Sequence, residues 1–206
     1  MSWPFTMVAL IPARSGSQRI PGKNTKVLAD HPLIAYTIAA AQESAVFSRI
    51  IVCSDDTQML VDLSHADYDR DIWFLSRTRV PDDQADIAWV RDALHAMSTP
   101  GRCPEAFAIL RPTSPFRTAD TIRRALKQFA LPGQTADSIR AVEHVRQHPM
   151  KMWTLTNGCL EPLLPYTRAD GVPGHSCPTQ TLPIFYIQNS SLEMAWTANV
   201  ERYGTI

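Results

Sequence analysis

The stretch MVALIPARSGSQRIPGKN, Met7 to Asn24, decides how the rest of the chain reads. Its opening, MVALIP, is a short continuous apolar run without polar alternation, the pattern of a strand buried on both faces of a parallel sheet. A long polar loop follows, carrying Arg14, Arg19 and Lys23, with Ser15, Gly16 and Ser17 where small residues let the backbone approach a ligand. The chain is neutral overall, 20 Lys plus Arg against 20 Asp plus Glu, so this loop concentrates charge that the composition does not. Backbone N–H groups there can cradle phosphate oxygens while the guanidinium and ammonium groups offset their charge, and a triphosphate fits that inventory. Isolated basic loop residues are usually only solvated; a position directly after the first strand of an α/β fold, at the usual ligand edge, favours binding.

Two familiar phosphate loops are excluded. A P-loop needs four residues between its glycines and Ser or Thr after the Lys; here Gly16 and Gly22 enclose five, and Asn24 follows Lys23. The dinucleotide fingerprint needs three spaced glycines, and Pro21 blocks an immediate helix.

Outward from this loop the chain alternates. Helical spacing begins near Pro32 and runs to about Phe47, RIIVCS (Arg49 to Ser54) reads as strand, Thr57 to Ala66 as helix and Ile72 to Leu75 as strand. A helix with Asp86 as its N-cap follows, then the buried strand AFAIL (Ala106 to Leu110) and a helix capped by Thr118. This order predicts a three-layer, Rossmann-like α/β fold around a mostly parallel sheet, with ligands outside the carboxyl ends of the strands. Beyond Pro132 the alternation breaks. Strands are expected at Asp137 to Val145 and Lys151 to Leu155, a Pro- and Gly-rich excursion over Leu160 to Pro183, a strand at Phe185 to Gln188 and a last helix near Leu192 to Val200.

At 206 residues and 45% hydrophobic content, one domain with a substantial core is expected. Charge balance gives no field for nucleic acid or a membrane surface. Cys53, Cys103, Cys159 and Cys177 lack CxxC pairing and zinc-ligand spacing, which fits a reduced, cytoplasmic protein. The first apolar run is too short for a leader or a membrane span.

LIPARSGSQRIPGKN resembles the signature loop of the acylneuraminate cytidylyltransferases, IPARxGSKxIPxKN, with Gln18 in place of the usual Lys. The resemblance extends in order through LRPTSPFR (Leu110 to Arg117), HPMKMW (His148 to Trp153) and LPIFYIQNSSLE (Leu182 to Glu193). It implies a cytidylyltransferase that moves CMP from CTP, with Mg²⁺, onto the anomeric hydroxyl of a nine-carbon 2-keto sugar acid and expels pyrophosphate. Arg14 and Lys23 are then catalytic, and Arg14, Ser15, Gly16, Ser17, Gln18, Lys23, Asn24 and Asp83 bind nucleotide. Arg111, Thr113, Ser114, Lys151, Tyr186, Gln188 and Asn189 lie at the sugar. Arg111 stands where Gln is common and Ser190 where Gly is usual.

The residues admit other readings beside these. Asp82 and Asp83 suit a helix N-terminus without any ligand, Lys151 suits a solvated strand, Arg111 a surface turn, and Tyr186 a core aromatic. The resemblance further implies a homodimer through an arm at 137–183. It also implies a metal-binding segment rich in Asp beyond the last helix, which this sequence lacks, so the metal ligands stay unassigned. The alternatives are transfer to Kdo or another keto sugar acid, or a catalytically weak nucleotide-binding subunit.

Overall fold

β1 (Met7–Pro12) has five of its six residues buried, and parallel neighbours on both sides explain the unbroken apolar run. The computed structural model describes residues 4–66, 72–77, 86–98, 103–131, 133 and 136–206. After β1 come the two-residue strands β2 (Val27–Leu28) and β3 (His31–Pro32), which pair as a small hairpin, then α1 (Leu33–Ser44) and β4 (Arg49–Ser54). Next are α2 (Thr57–Ser64), β5 (Ile72–Ser76), α3 (Ile87–Met97), β6 (Ala106–Leu110) and α4 (Ala119–Phe129). The chain ends through β7 (Ser138–His144), β8 (Trp153–Thr156), β9 (Cys159–Pro162), β10 (Tyr186–Trp196) and α5 (Thr197–Tyr203).

The main sheet runs β5-β4-β1-β6-β10-β7. β5, β4, β1 and β6 are parallel, and β10 is antiparallel to β6 with Glu193 opposite Ile109. Alternation along the strands divides the core between two faces. Val8, Leu10, Ile51, Phe107, Ile109 and Ala195 pack with Trp89, Val90, Leu94 and Met97 of α3 and Val200 of α5. On the other face α1 packs on α4, and Phe129 meets Trp196, with ring centres 4.6 Å apart. The expected mostly parallel α/β sheet is therefore present, and the four cysteines are free thiols. Among the described residues, no helix is long and apolar enough to cross a membrane.

Several expectations need correction. Leu192–Trp196 is strand, not helix: the run is apolar because it is buried mid-sheet against β6, and α5 begins only at Thr197. Lys151 belongs to a short 3-10 turn, Pro149–Lys151, capped by the His148 side chain, and β8 starts after it. Asp86 occupies the cap position of α3 without capping it, because its carboxylate turns to Trp89 and Arg111 instead. Thr118 does cap α4, its hydroxyl accepting from Thr121 N–H at 3.3 Å.

The chain divides into two compact units, residues 1–140 with 190–206, and residues 141–189. In the second, Met150, Cys177 and Leu182 form a small core with Leu164, Tyr166, Val172 and Phe185 against it, and β8 and β9 make a solvent-exposed hairpin.

Candidate active site

The loop after β1 is held by the end of β4. Ala13 N–H donates to the Cys53 carbonyl at 2.8 Å, and the Ser54 hydroxyl donates to the Ala13 carbonyl at 2.5 Å. Asp55 then clasps Ser15, accepting from its N–H at 2.8 Å and its hydroxyl at 3.0 Å. Burial pushes the Asp55 carboxyl up, but the Ser15 bonds, its own N–H and the Arg77 charge outweigh this and hold it below the ordinary carboxylate range. Further on, Gly22 takes φ +63, a conformation that suits glycine, so that Thr25 and Lys26 can both donate to its carbonyl. Asn24 is buried, and its side-chain amide donates to the Arg14 carbonyl at 3.0 Å, closing the loop upon itself.

This winding brings cations together. Lys23 is half-buried, and its pKa is lowered by that burial first and then by the charges of Arg14, Arg19 and Arg111. Lys23 thus feels the charges of Arg14 and Arg19 on its own loop and of Arg111 after β6, and a polyanion beside Lys23 would relieve that repulsion. Gln18 lies exposed on the same loop. A cleft of about 690 Å³ is lined by Lys23 together with Thr113 and Ser114, with Ile20, Leu28 and Phe116 among its apolar walls.

Arg111 is already engaged, its Nη2 lying 2.5 Å from Asp86 Oδ2 and 3.1 Å from Glu193 Oε1. Arg117 is 7% exposed, and burial pushes its guanidinium down to about 10. It donates to the Arg111 carbonyl at 3.3 Å, to the Ser191 carbonyl and to Thr37 Oγ1 at 3.2 Å, tying the turn after β6 to β10 and α1.

The other expected sugar-site residues lie in, or at the edge of, the second unit. Lys151 Nζ donates to the His175 carbonyl at 2.8 Å and to the Cys177 carbonyl. Tyr186 is 57% exposed, which excludes a core role, and its ring lies 4.8 Å from that of His144. Gln188 and Asn189 are exposed on β10. Asp82 and Asp83 lie outside the described residues.

Sequence reasoning missed Asp55, Arg77, Arg117 and Glu193. Asp55 had a signal, since Ser54-Asp55-Asp56 follows a buried strand at the ligand edge. Arg117 lay within a quoted motif, whereas Glu193 was concealed by reading its segment as helix. Arg77, beyond the end of β5, holds its guanidinium 5.4 Å from the centre of the Trp89 ring, and its buried Nε has no hydrogen-bond partner among the described residues. Among the described residues, no group of three or more His, Cys, Asp or Glu is placed to hold a metal ion.

A family profile described as "Cytidylyltransferase" matches residues 8–66, which cover β1, the loop, β4 and Asp55. The chain is 36% identical over 137 residues to the CMP-N,N'-diacetyllegionaminic acid synthase of Legionella pneumophila, covering 66% of this chain and 58% of that protein. It is 34% identical over 139 residues to the N-acylneuraminate cytidylyltransferase of Escherichia coli O18:K1:H7, covering 68% of this chain and 31% of that protein. The chain therefore spans about half the length of these curated relatives, or less. Among solved structures, CMP:2-keto-3-deoxy-manno-octonic acid synthetase complexed with CTP superposes with a TM-score of 0.68 at 14% identity, over 97% of this chain and 77% of that one. That likeness concerns the fold alone. With the profile over residues 8–66 and curated relatives at 34% and 36% identity, the chain belongs to the cytidylyltransferase family, and its relatives there include the acylneuraminate and legionaminate enzymes.

Proposed function

We propose that this protein holds CTP on the loop after β1 and transfers CMP to the anomeric hydroxyl of a nine-carbon 2-keto sugar acid. The observation that carries this reading is the cleft lined by Lys23, Thr113 and Ser114, with Arg14 and Arg19 on the same loop as Lys23. In the reaction the acceptor oxygen bonds to the α-phosphorus, the bond to the β-phosphate bridging oxygen breaks, and pyrophosphate leaves with that electron pair. No protein nucleophile is required, and the buried Cys53 thiol, pushed up to about 12, is unsuited to be one. The residues contribute position and charge: Arg14 and Lys23 meet the phosphates, the Gly16 N–H lines them on a loop fixed by the Ser15–Asp55 clasp, and Thr113 and Ser114 orient the acceptor.

Mg²⁺ belongs to the proposal as the companion of the triphosphate. The described carboxylates do not assemble a cage for it. The second unit serves as a dimer arm, with Lys151 arranging its own loop through the His175 and Cys177 carbonyls. The protein works in the cytoplasm, where CTP is available.

The test is product identification. The full chain is incubated with CTP, Mg²⁺ and, in turn, N-acetylneuraminate, N,N'-diacetyllegionaminate, pseudaminate and Kdo, and products are read by mass and pyrophosphate release. A CMP-linked nonulosonate is expected. Product with Kdo alone would move the acceptor class, and failure to bind CTP would overturn the reading.

A further inference from the structure

Arg111 reaches two carboxylates that belong to different elements. Asp86 comes from the start of α3, and Glu193, 4% exposed, comes from β10. The row extends at both ends: Asp86 Oδ1 accepts from Trp89 Nε1 at 2.7 Å, and Glu193 Oε2 lies 3.7 Å from Arg140 Nε on β7. Two acids and two guanidinium groups therefore alternate beneath the site, crossing α3, β6, β10 and β7. The Arg111 carbonyl is pinned as well, by Arg117.

An acceptor carboxylate could take Arg111 Nη2 only by displacing Asp86, which is half-buried, or Glu193, which is buried. A buried carboxylate deprived of its cation is strongly disfavoured, far more than an intact buried pair. A rigidly held guanidinium with both partners inside the protein is suited to fixing geometry.

We propose that Arg111 is a positioning residue which clamps the start of α3 and β10 onto the end of β6, and so sets the place of the Thr113–Ser114 turn in the cleft that Lys23 also lines. It does not take the sugar carboxylate. Glutamine at this position would be compatible with the site only if Glu193 were also neutral. The catalytic arm of the test below rests on the CMP-transfer reading; the folding arm does not.

The experiment compares the full chain with Arg111→Gln, Glu193→Gln and the double variant. In urea unfolding, each single variant should lower the midpoint, and the double should lie above the sum of the two losses. Additive losses would overturn the clamp, whatever the activity of the protein. In CMP transfer, Arg111→Gln should lower kcat about tenfold to a hundredfold through misplacement of the turn. The acceptor KM should stay within about threefold, and Glu193→Gln added to Arg111→Gln should recover most of the kcat. A rise of about a hundredfold in acceptor KM, with no recovery in the double variant, would show direct carboxylate binding and overturn the proposal. Should Arg111→Gln fail to fold, Arg111→Lys keeps the charge but not the fork, and the same split of kcat loss with steady KM is expected.

Discussion

The loop after β1 and the arm at 141–189 both lack long regular elements, yet they are held in opposite ways. The loop stands on strands buried on both faces; Ala13 to Cys53 and Ser15 to Asp55 tie it to the end of β4, and Asn24 to Arg14 closes it on itself. The arm has a three-residue buried core, and its ties run within the arm itself, such as Gly174 N–H to the Tyr166 carbonyl at 2.8 Å and His148 Nε2 to the Pro183 carbonyl at 2.9 Å. A site that must neutralise a polyanion needs fixed charge, and a loop anchored to a sheet supplies it. The arm leaves Leu155, Leu160 and Ile184 exposed instead.

The sharpest way to break this contrast is to damage one region and follow the other. Phe107→Ala, at a fully buried position of β6, should cost about 3–5 kcal/mol in urea unfolding and abolish CTP binding with it. In the arm, a Cβ at Gly174 would meet Tyr166 Cδ1 at 3.0 Å and both Met150 Sδ and the Tyr166 carbonyl at 3.3 Å. Gly174→Ala should therefore cost about 1–3 kcal/mol, read as faster amide exchange over 141–189 with the main sheet unchanged. Equal loss of protection in both units would erase the distinction between them.

Smaller effects sharpen it. Asp55→Asn should destabilise the protein by about 1 kcal/mol at neutral pH, a modest figure because the clasp is partly exposed to solvent. Since the Asp55 carboxyl is held below its unfolded value, its contribution is complete above the ordinary carboxylate range and is lost as pH falls through the folded value. Wild type and variant should therefore converge in acid; a constant gap would show that charge plays no part in the clasp. Ser190 sits where the two units join in sequence and has φ 56, keeping a left-handed backbone where the resembling family usually places Gly. Ser190→Gly should stabilise by about 0.5 kcal/mol, the relief of that strain less the entropy glycine adds to the unfolded chain. A destabilising result would mean that the serine side chain has a partner worth more than the strain.

Legibility followed the same division. MVALIP, RIIVCS and AFAIL were readable as strands because burial on both faces leaves unbroken apolar runs, and Thr118 because its cap is a local bond. The basic loop was readable because its charges stand out in a neutral chain. Leu192–Trp196 misled for the same reason that the other strands were clear: four consecutive buried residues, Leu192 to Ala195, carry no period, and only the pairing with β6 separates strand from helix. Glu193 and Asp86 could not be assigned from sequence, because what each does depends on Arg111, which is 82 residues from one and 25 from the other. The arm gave little because exposed strands and 3-10 turns have almost no hydrophobic pattern to read.

The central claim is that the loop after β1 is a triphosphate site that drives CMP transfer, and Lys23 tests it most directly. Pyrophosphate release from CTP should be measured with a nonulosonic acid for wild type and Lys23→Ala, alongside urea unfolding of both. Release by wild type, a loss of roughly a hundredfold or more in Lys23→Ala and an unchanged unfolding midpoint are expected. Equal release by the two proteins would contradict the account.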